Sequence, residues 1–201
     1  MKAIETLAAL EELYGQPGAA ALVKVARRMT PAYRAWIGCS RLCILSTVGP
    51  EGTDASPRGD DGPVVREIDP GTLALPDWRG NQRIDSLRNI VRDARVSLMF
   101  LIAGSDNVIR VNGTAVVTAD QGLRQSFARD GKLPRTVIVI KIAEIYVQCA
   151  RALLRARIWR DGDRSGGLPS IGEMLDELSR GAIDGAAYDA EWPSRAAASL
   201  W

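Results

Sequence analysis

The stretch LCILSTVGPEGTDASPRGD, residues 42–60, decides how the chain folds. Residues Leu42–Val48 are mostly apolar or β-branched, which is typical of a short strand. Gly49–Gly52 supplies turn residues, and Thr53–Arg58 then returns as a second strand. The stretch therefore predicts an antiparallel β-hairpin that ends in polar residues.

The chain beyond this hairpin adds further strands that are mostly joined by tight turns. Helical patterns lie among them at 82–93, with Ile84, Leu87, Ile90 and Val91 as the apolar stripe, and at 120–129. About six strands with two intervening helices favour an antiparallel β-barrel over a doubly wound sheet. The additional strands are predicted over 64–68, 72–75, 95–102, 108–118 and 136–149.

Both ends of the chain are predicted to be helical. Apolar residues recur at helical spacing from Ile4 to Leu13, and a second helix is predicted over 19–28. Thr30 before Pro31 is a good start for a third helix. In the tail, Ser170-Ile171-Gly172-Glu173 matches a capping box. We divide the chain, as one domain overall, into an N-terminal helical segment (1–40), a barrel (41–160) and a C-terminal helical extension (161–201).

The composition excludes several classes of function. The 201 residues include 26 basic and 24 acidic side chains, three cysteines and no histidine. A chain without histidine has no Ser-His-Asp or Cys-His catalytic site and no histidine-ligated metal or haem, and we expect no metal site. A net charge of +2 gives no reason to expect nucleic-acid binding.

The same composition leads to an expectation about location. No apolar run is long enough for a membrane span, and we expect no signal peptide. Cys39, Cys43 and Cys149 are odd in number and lack CxxC spacing. We expect reduced, mostly buried thiols in a cytoplasmic protein.

The first candidate site lies at the end of the hairpin, in residues 54–62 (DASPRGDDG). Ser56 and Arg58 place a hydroxyl and a guanidinium beside Gly59, where a backbone can approach a ligand closely. These donors suit a phosphate or the edge of a flavin ring. The alternative is an ordinary polar hairpin end.

The second candidate site lies in residues 75–89, where a strand ends, a polar loop follows and a helix begins. The free N–H groups of a helix N-terminus attract anions. Arg79, Asn81 and Arg83 would surround such an anion with donors. The alternative is a solvated helix start.

Two further segments carry polar side chains in regular positions. Arg110, Asn112 and Thr114 alternate onto one face of a strand, which could line a cleft but more often faces water. Residues 148–159 combine three arginines with Trp159 and could cover a planar ligand or a neighbouring subunit. The alternative for this segment is a solvent-facing basic stretch.

Taken together, these segments resemble the pyridoxamine 5′-phosphate oxidase-like family of FMN-binding split barrels, from about residue 41 to residue 159. The resemblance is closest to a bacterial subgroup of FMN-dependent proteins. The two runs Ser56–Asp60 and Arg79–Asn81 are together specific to this family, whereas either run alone is weak evidence for it. The residues that carry the resemblance are LST (45–47), DASPRGD (54–60), PDWRGNQRIDSLRNI (76–90) and RVSLMF (95–100).

The resemblance implies a mainly β fold with flanking helices, an antiparallel split β-barrel, and FMN held at the interface of a homodimer. The residues that would meet the isoalloxazine and ribityl region are Ser56, Pro57, Arg58 and Gly59. Those that would meet the ribityl chain and phosphate are Asp77, Arg79, Asn81 and Arg83, with Ser86 and Asn89 as further contacts. Contacts from the other subunit would come from Arg157 and Trp159.

The resemblance also implies a flavoprotein with oxidoreductase activity on a small, unidentified substrate, in which the cofactor carries the redox chemistry. Family members that oxidise vitamin B6 hold their substrate with an Arg and a His, so a chain without histidine is not expected to be one of them. We name no catalytic residue. The alternatives are a non-catalytic module that binds, stores or senses flavin or another planar cofactor, a haem-handling protein with Cys or Tyr as ligand, or a deazaflavin in place of FMN.

Overall fold

Seven antiparallel strands form one sheet in the computed structural model, which describes residues 1–201. The sheet order is β2-β1-β5-β6-β7-β4-β3. The strands are β1 (Leu42–Gly49), β2 (Gly52–Gly59), β3 (Arg66–Asp69), β4 (Thr72–Asp77), β5 (Arg95–Leu101), β6 (Val108–Thr118) and β7 (Thr136–Gln148). The helices are α1 (Leu7–Tyr14), α2 (Ala19–Val23), α3 (Pro31–Cys39), α4 (Asp85–Arg92), α5 (Gln121–Ser126), α6 (Arg151–Ala156), α7 (Ile171–Ser179) and α8 (Gly185–Ser199).

The predicted antiparallel split barrel is confirmed. The hairpin of β1 and β2 pairs in register from Leu42 opposite Gly59 to Gly49 opposite Gly52. Side chains alternate across each strand, so one face supplies a continuous apolar core. Leu45, Leu98 and Ile140 have no exposed surface at its centre.

The helix α4 differs from its predicted form. It begins at Asp85, because Ile84 just before it has a left-handed backbone with φ of 52°. Of the predicted apolar stripe, Ile90 is buried but Ile84 and Val91 are exposed. Leu87 packs against the core beside Ile90, and Ser86 and Asn89 also face the sheet, so the inner face of the helix is half polar.

Two other expectations need correction. The second helix ends at Val23 rather than near residue 28, because Ala26 forms a β-bridge with Ile145. The cysteines are free, but only Cys43 is buried, whereas Cys39 and Cys149 are exposed. Burial raises the pKa of the Cys43 thiol to about 12.

The tail folds into a helical hairpin, which we call the arm (residues 168–201). The predicted capping box at the start of α7 is present, with Ser170 and Glu173 each bonding the other's backbone. Gly172 and Gly185 bring the two helices into backbone contact, and an added Cβ at either position would meet the other residue's carbonyl oxygen. No helix of the chain has the combination of length and apolar character that a membrane crossing requires.

The pairing of β6 with β7 contains a bulge beside Gly113 that leaves no room for a side chain. A Cβ on Gly113 would overlap the carbonyl oxygen of Lys141, which is backbone and cannot rotate away. We expect Gly113→Ala to lower the free energy of unfolding by about 2–3 kcal/mol in urea denaturation. Gly38→Ala is the matched control, because open space surrounds Gly38 in α3, and it should be neutral or stabilising by up to about 1 kcal/mol. Equal effects of the two substitutions would contradict this interpretation.

Candidate functional site

The two ends of the sheet meet at a seam, and one ion pair crosses it. Strand β2 is one edge of the sheet, and β4 lies next to the other edge. Arg58 on β2 donates from Nη1 to Oδ1 of Asp77 on β4 at 2.5 Å. Their side chains are only 19% and 14% exposed, so this pair closes the barrel from partly buried positions.

A chain of hydrogen bonds runs from this ion pair along the seam. Arg58 Nε donates to the hydroxyl of Ser56 at 3.2 Å, and Ser56 Oγ lies 3.0 Å from Ser86 Oγ. Ser86 donates its own proton to Asp54 Oδ2 at 2.5 Å, so the proton between the two serines comes from Ser56. The direction of every hydrogen bond in the series Arg58, Ser56, Ser86, Asp54 is therefore fixed. These hydrogen bonds hold α4 against β2.

A cavity of about 410 Å³ opens beside the ion pair. This size is within the range of small-molecule sites. Arg79, Asn81 and Arg135 supply donors to its wall, and the guanidinium groups of Arg79 and Arg135 have no hydrogen-bond or ion-pair partner in the chain. The apolar side chains that line it include Val64, Leu75, Leu87 and Leu200. The arrangement suits a ligand with an anionic group and a flat apolar part.

The loop between β4 and α4 is bent around this cavity in an unusual conformation. Gln82 and Ile84 both have positive φ, at 64° and 52°. A β-branched residue such as Ile84 rarely adopts this region, so the surrounding structure must hold it there. Asn81 Oδ1 accepts a hydrogen bond from the backbone N–H of Arg83 at 3.1 Å, which stabilises the bend.

A second, smaller cavity of about 340 Å³ lies on the other side of this loop. Arg83 lines it with its side chain 75% exposed and bonded to Asp85 at 2.8 Å, and this hydrogen bond raises the pKa of Arg83. Across the cavity Arg92 holds Glu51, and the hydrogen bond lowers the pKa of that carboxyl. Most charges in this cavity are thus already paired within the chain.

The sequence-predicted residues divide among three places. The first cavity brings together Ser56, Pro57, Arg58, Gly59, Asp77, Arg79 and Asn81. Ser86 bonds to Ser56 behind it, Asn89 donates to the buried Thr47 hydroxyl, and Arg83 faces the second cavity. The remaining two lie beside the β5–β6 turn, where Arg157 pairs with Asp161 and Trp159 donates to the Ser105 carbonyl.

Some residues of the site carry no local sequence signal. Arg135 reaches the cavity because β4 pairs with β7, which places Thr136 opposite Asp77. Leu200 reaches it because the arm folds back onto the barrel. Both placements depend on long-range pairing, which spacing along the chain does not reveal.

Comparison with known proteins agrees with this fold. The family model described as pyridoxamine 5′-phosphate oxidase matches residues 29–149. Among curated proteins, none matches this sequence.

Solved structures with a similar fold include a variant of HupZ from Group A Streptococcus, which is 18% identical with a TM-score of 0.50. The alignment covers 59% of this chain and 98% of that chain. A second HupZ structure is 18% identical, with a TM-score of 0.49 and coverage of 58% and 91%. An FMN-binding protein from Syntrophomonas wolfei is 17% identical, with a TM-score of 0.43 and coverage of 58% and 83%.

Removing one partner of the ion pair at the seam should destabilise the protein more than removing one partner of a surface pair. We expect Asp77→Ala to lower the free energy of unfolding by about 1–3 kcal/mol, because it leaves a partly buried Arg58 without its partner. The matched control is Glu51→Ala, which removes the exposed pair with Arg92 and should cost less than about 1 kcal/mol. Double-mutant cycles with Arg58→Ala and Arg92→Ala measure the two coupling energies. Equal coupling energies would contradict the expectation that the pair at the seam interacts more strongly than the surface pair.

Proposed function

Because this chain belongs to the pyridoxamine 5′-phosphate oxidase family, we propose that it is an FMN-binding flavoprotein that acts as an oxidoreductase on a small substrate. The observation that carries the proposal is the cavity beside the Arg58–Asp77 pair. Its lining combines unpaired cationic donors with apolar side chains. FMN likewise combines an anionic phosphate with a planar ring.

The residues present fit FMN in charge and in shape. Arg79 and Arg135 have no acidic partner, so together they can balance a phosphate dianion. The amide of Asn81 provides a further donor for the ribityl chain or phosphate. Open space lies where a side chain on Gly80 would stand, and a Cβ on Gly59 would meet only the carbonyl oxygen of Arg41 at 3.7 Å, so a ligand can approach the backbone at Gly80 closely.

When bound, FMN supplies the capacity to accept and release a hydride at its ring. The chain's own residues bind and orient the flavin. Asp77 is the only carboxylate in the cavity lining, and it is held by Arg58. The Ser56 hydroxyl donates to Ser86 and accepts from Arg58, so towards a ligand it can only accept, and a backbone N–H near Arg58 is the proposed donor to the ring.

The proposal includes a homodimer with FMN at the subunit interface. Arg157 and Trp159 lie outside the cavity of their own protomer, and Arg157 is exposed, which leaves them available to a second subunit. Free thiols are typical of a reducing compartment, and the chain has three. A cytoplasmic location is therefore part of the proposal. Vitamin B6 oxidation is not part of the proposal, since the chain has no histidine.

Flavin binding is tested with the purified protein and with titration of added FMN. We expect FMN to bind, and Arg79→Ala to weaken its affinity by about 1.5–3 kcal/mol while leaving riboflavin affinity nearly unchanged, because only FMN carries the phosphate. Arg83→Ala is the comparison: its side chain is largely exposed and paired with Asp85, so we expect a loss below about 1 kcal/mol.

Three results would each change the proposed function or its site. No bound flavin and no uptake of FMN would overturn the proposed function. A larger loss for Arg83→Ala than for Arg79→Ala would move the phosphate to the second cavity. A bound chromophore with the spectrum and mass of a deazaflavin would replace FMN as the cofactor.

The second candidate is a non-catalytic flavin module. It is favoured by the lining of the cavity, in which no free acid or base stands ready to exchange a proton with a substrate. Anaerobic rapid mixing with NADH or NADPH separates the two functions. We expect reduction of the bound flavin within seconds for an oxidoreductase, and a flavin that stays oxidised with both donors would favour the module.

A further inference from the structure

The arm contributes a residue to the wall of the first cavity. Leu200 lines the cavity, yet 62% of its surface is exposed. A leucine that faces an open cavity becomes buried when a ligand fills that cavity, and burial of apolar surface stabilises the complex. Leu200 is therefore placed to contact the apolar part of a bound ligand.

The neighbouring residue, Trp201, is held from two sides. Its ring meets the ring of Trp78 edge-on, with centroids 5.3 Å apart and an interplanar angle of 80°. The guanidinium of Arg129 lies over its face, 4.1 Å from the ring centroid. Edge-to-face aromatic pairs and cation–π contacts are both attractive, so Trp201 has a defined position.

A single carboxylate organises both partners of Trp201. Asp60 accepts a hydrogen bond from Trp78 Nε1 at 3.0 Å and forms an ion pair with Arg129 at 3.2 Å. The Asp60 side chain is only 11% exposed. The end of the hairpin thus holds Trp78 and Arg129 in place, and these two side chains hold the end of the arm beside the cavity.

We infer that Leu200 is a ligand-contacting residue for the planar part of the flavin, and that Trp201 is a positioning residue that keeps Leu200 in the wall. This inference rests on the proposed flavin binding. The arm would then contribute to flavin binding separately from the phosphate contacts, because Leu200 is apolar whereas Arg79 and Arg135 supply the charge.

The test compares FMN with riboflavin, which share the ring but not the phosphate. We expect Leu200→Ala to weaken both ligands by a similar factor of about five to ten, and to speed flavin dissociation. Trp201→Ala should have the same effect, and the double variant should be no worse than Trp201→Ala alone, because Trp201 acts through Leu200. Trp201→Phe keeps an aromatic ring between Trp78 and Arg129 and should restore most of the affinity.

Matched controls come from the same arm. Leu178→Ala and Trp192→Ala remove residues of the same types at exposed positions, 81% and 52% exposed, that do not line the cavity. Both should bind flavin like the parent chain. Thermal unfolding of every variant shows whether the barrel is intact.

The outcomes separate this inference from the proposed function. If the parent chain binds flavin and Leu200→Ala and Trp201→Ala bind it as tightly as the two controls, the inference is overturned while the proposed function stands. A loss for FMN but not for riboflavin also overturns it, since the contact would then be with the phosphate. A parent chain that binds no flavin overturns both.

Discussion

The ion pair between Arg58 and Asp77 is the constraint on which the site depends, because it joins two strands that share no backbone hydrogen bonds. Strand β2 pairs only with β1, and β4 pairs with β3 and β7. The attraction between partly buried charges is largely offset by the loss of their hydration, so the main effect of the pair is geometric. It sets the distance between the two walls of the cavity and gives Ser56 and Ser86 a fixed hydrogen-bond order.

The polar half of the inner face of α4 follows from the same constraint. A helix that packed only apolar side chains on the sheet would leave the seam without hydrogen-bond partners, and partly buried polar groups without partners are costly. Ser86 meets Ser56 and Asp54, while Asn89 donates to Thr47 at 3.1 Å. Asn89 also lies so close to Gly49 that a side chain there would collide with it. The hairpin turn and the helix are therefore locked together by polar contacts.

Much of the fold is visible in the sequence, because strand alternation and turn residues act over short distances. The hairpin, the bounds of β6 and the helix starts at Thr30 and Ser170 are of this kind. The site is visible only in part. Periodicity placed Ile84 in the core, whereas the bend of the loop turns it outward with a positive φ. Arg135 and Leu200 reach the cavity through strand pairing and through the folding of the arm, and neither leaves a local pattern.

For the arginines, a position on a cavity without an ion-pair partner indicates a candidate binding site better than residue type does. Of the 26 basic residues 22 are arginine, so an arginine in a motif carries little information by itself. Most of those in ion pairs sit on the surface, as Arg34 does with Glu67 and Arg95 with Asp93. Arg79 and Arg135 differ because they border the first cavity and form no ion pair, a combination that Arg88 repeats at the second cavity. All three side chains are exposed, so water solvates their charges in the free protein. An anion that binds Arg79 and Arg135 would replace that water with charge-assisted hydrogen bonds, and the apolar side chains of the same lining would favour an anion with an apolar part.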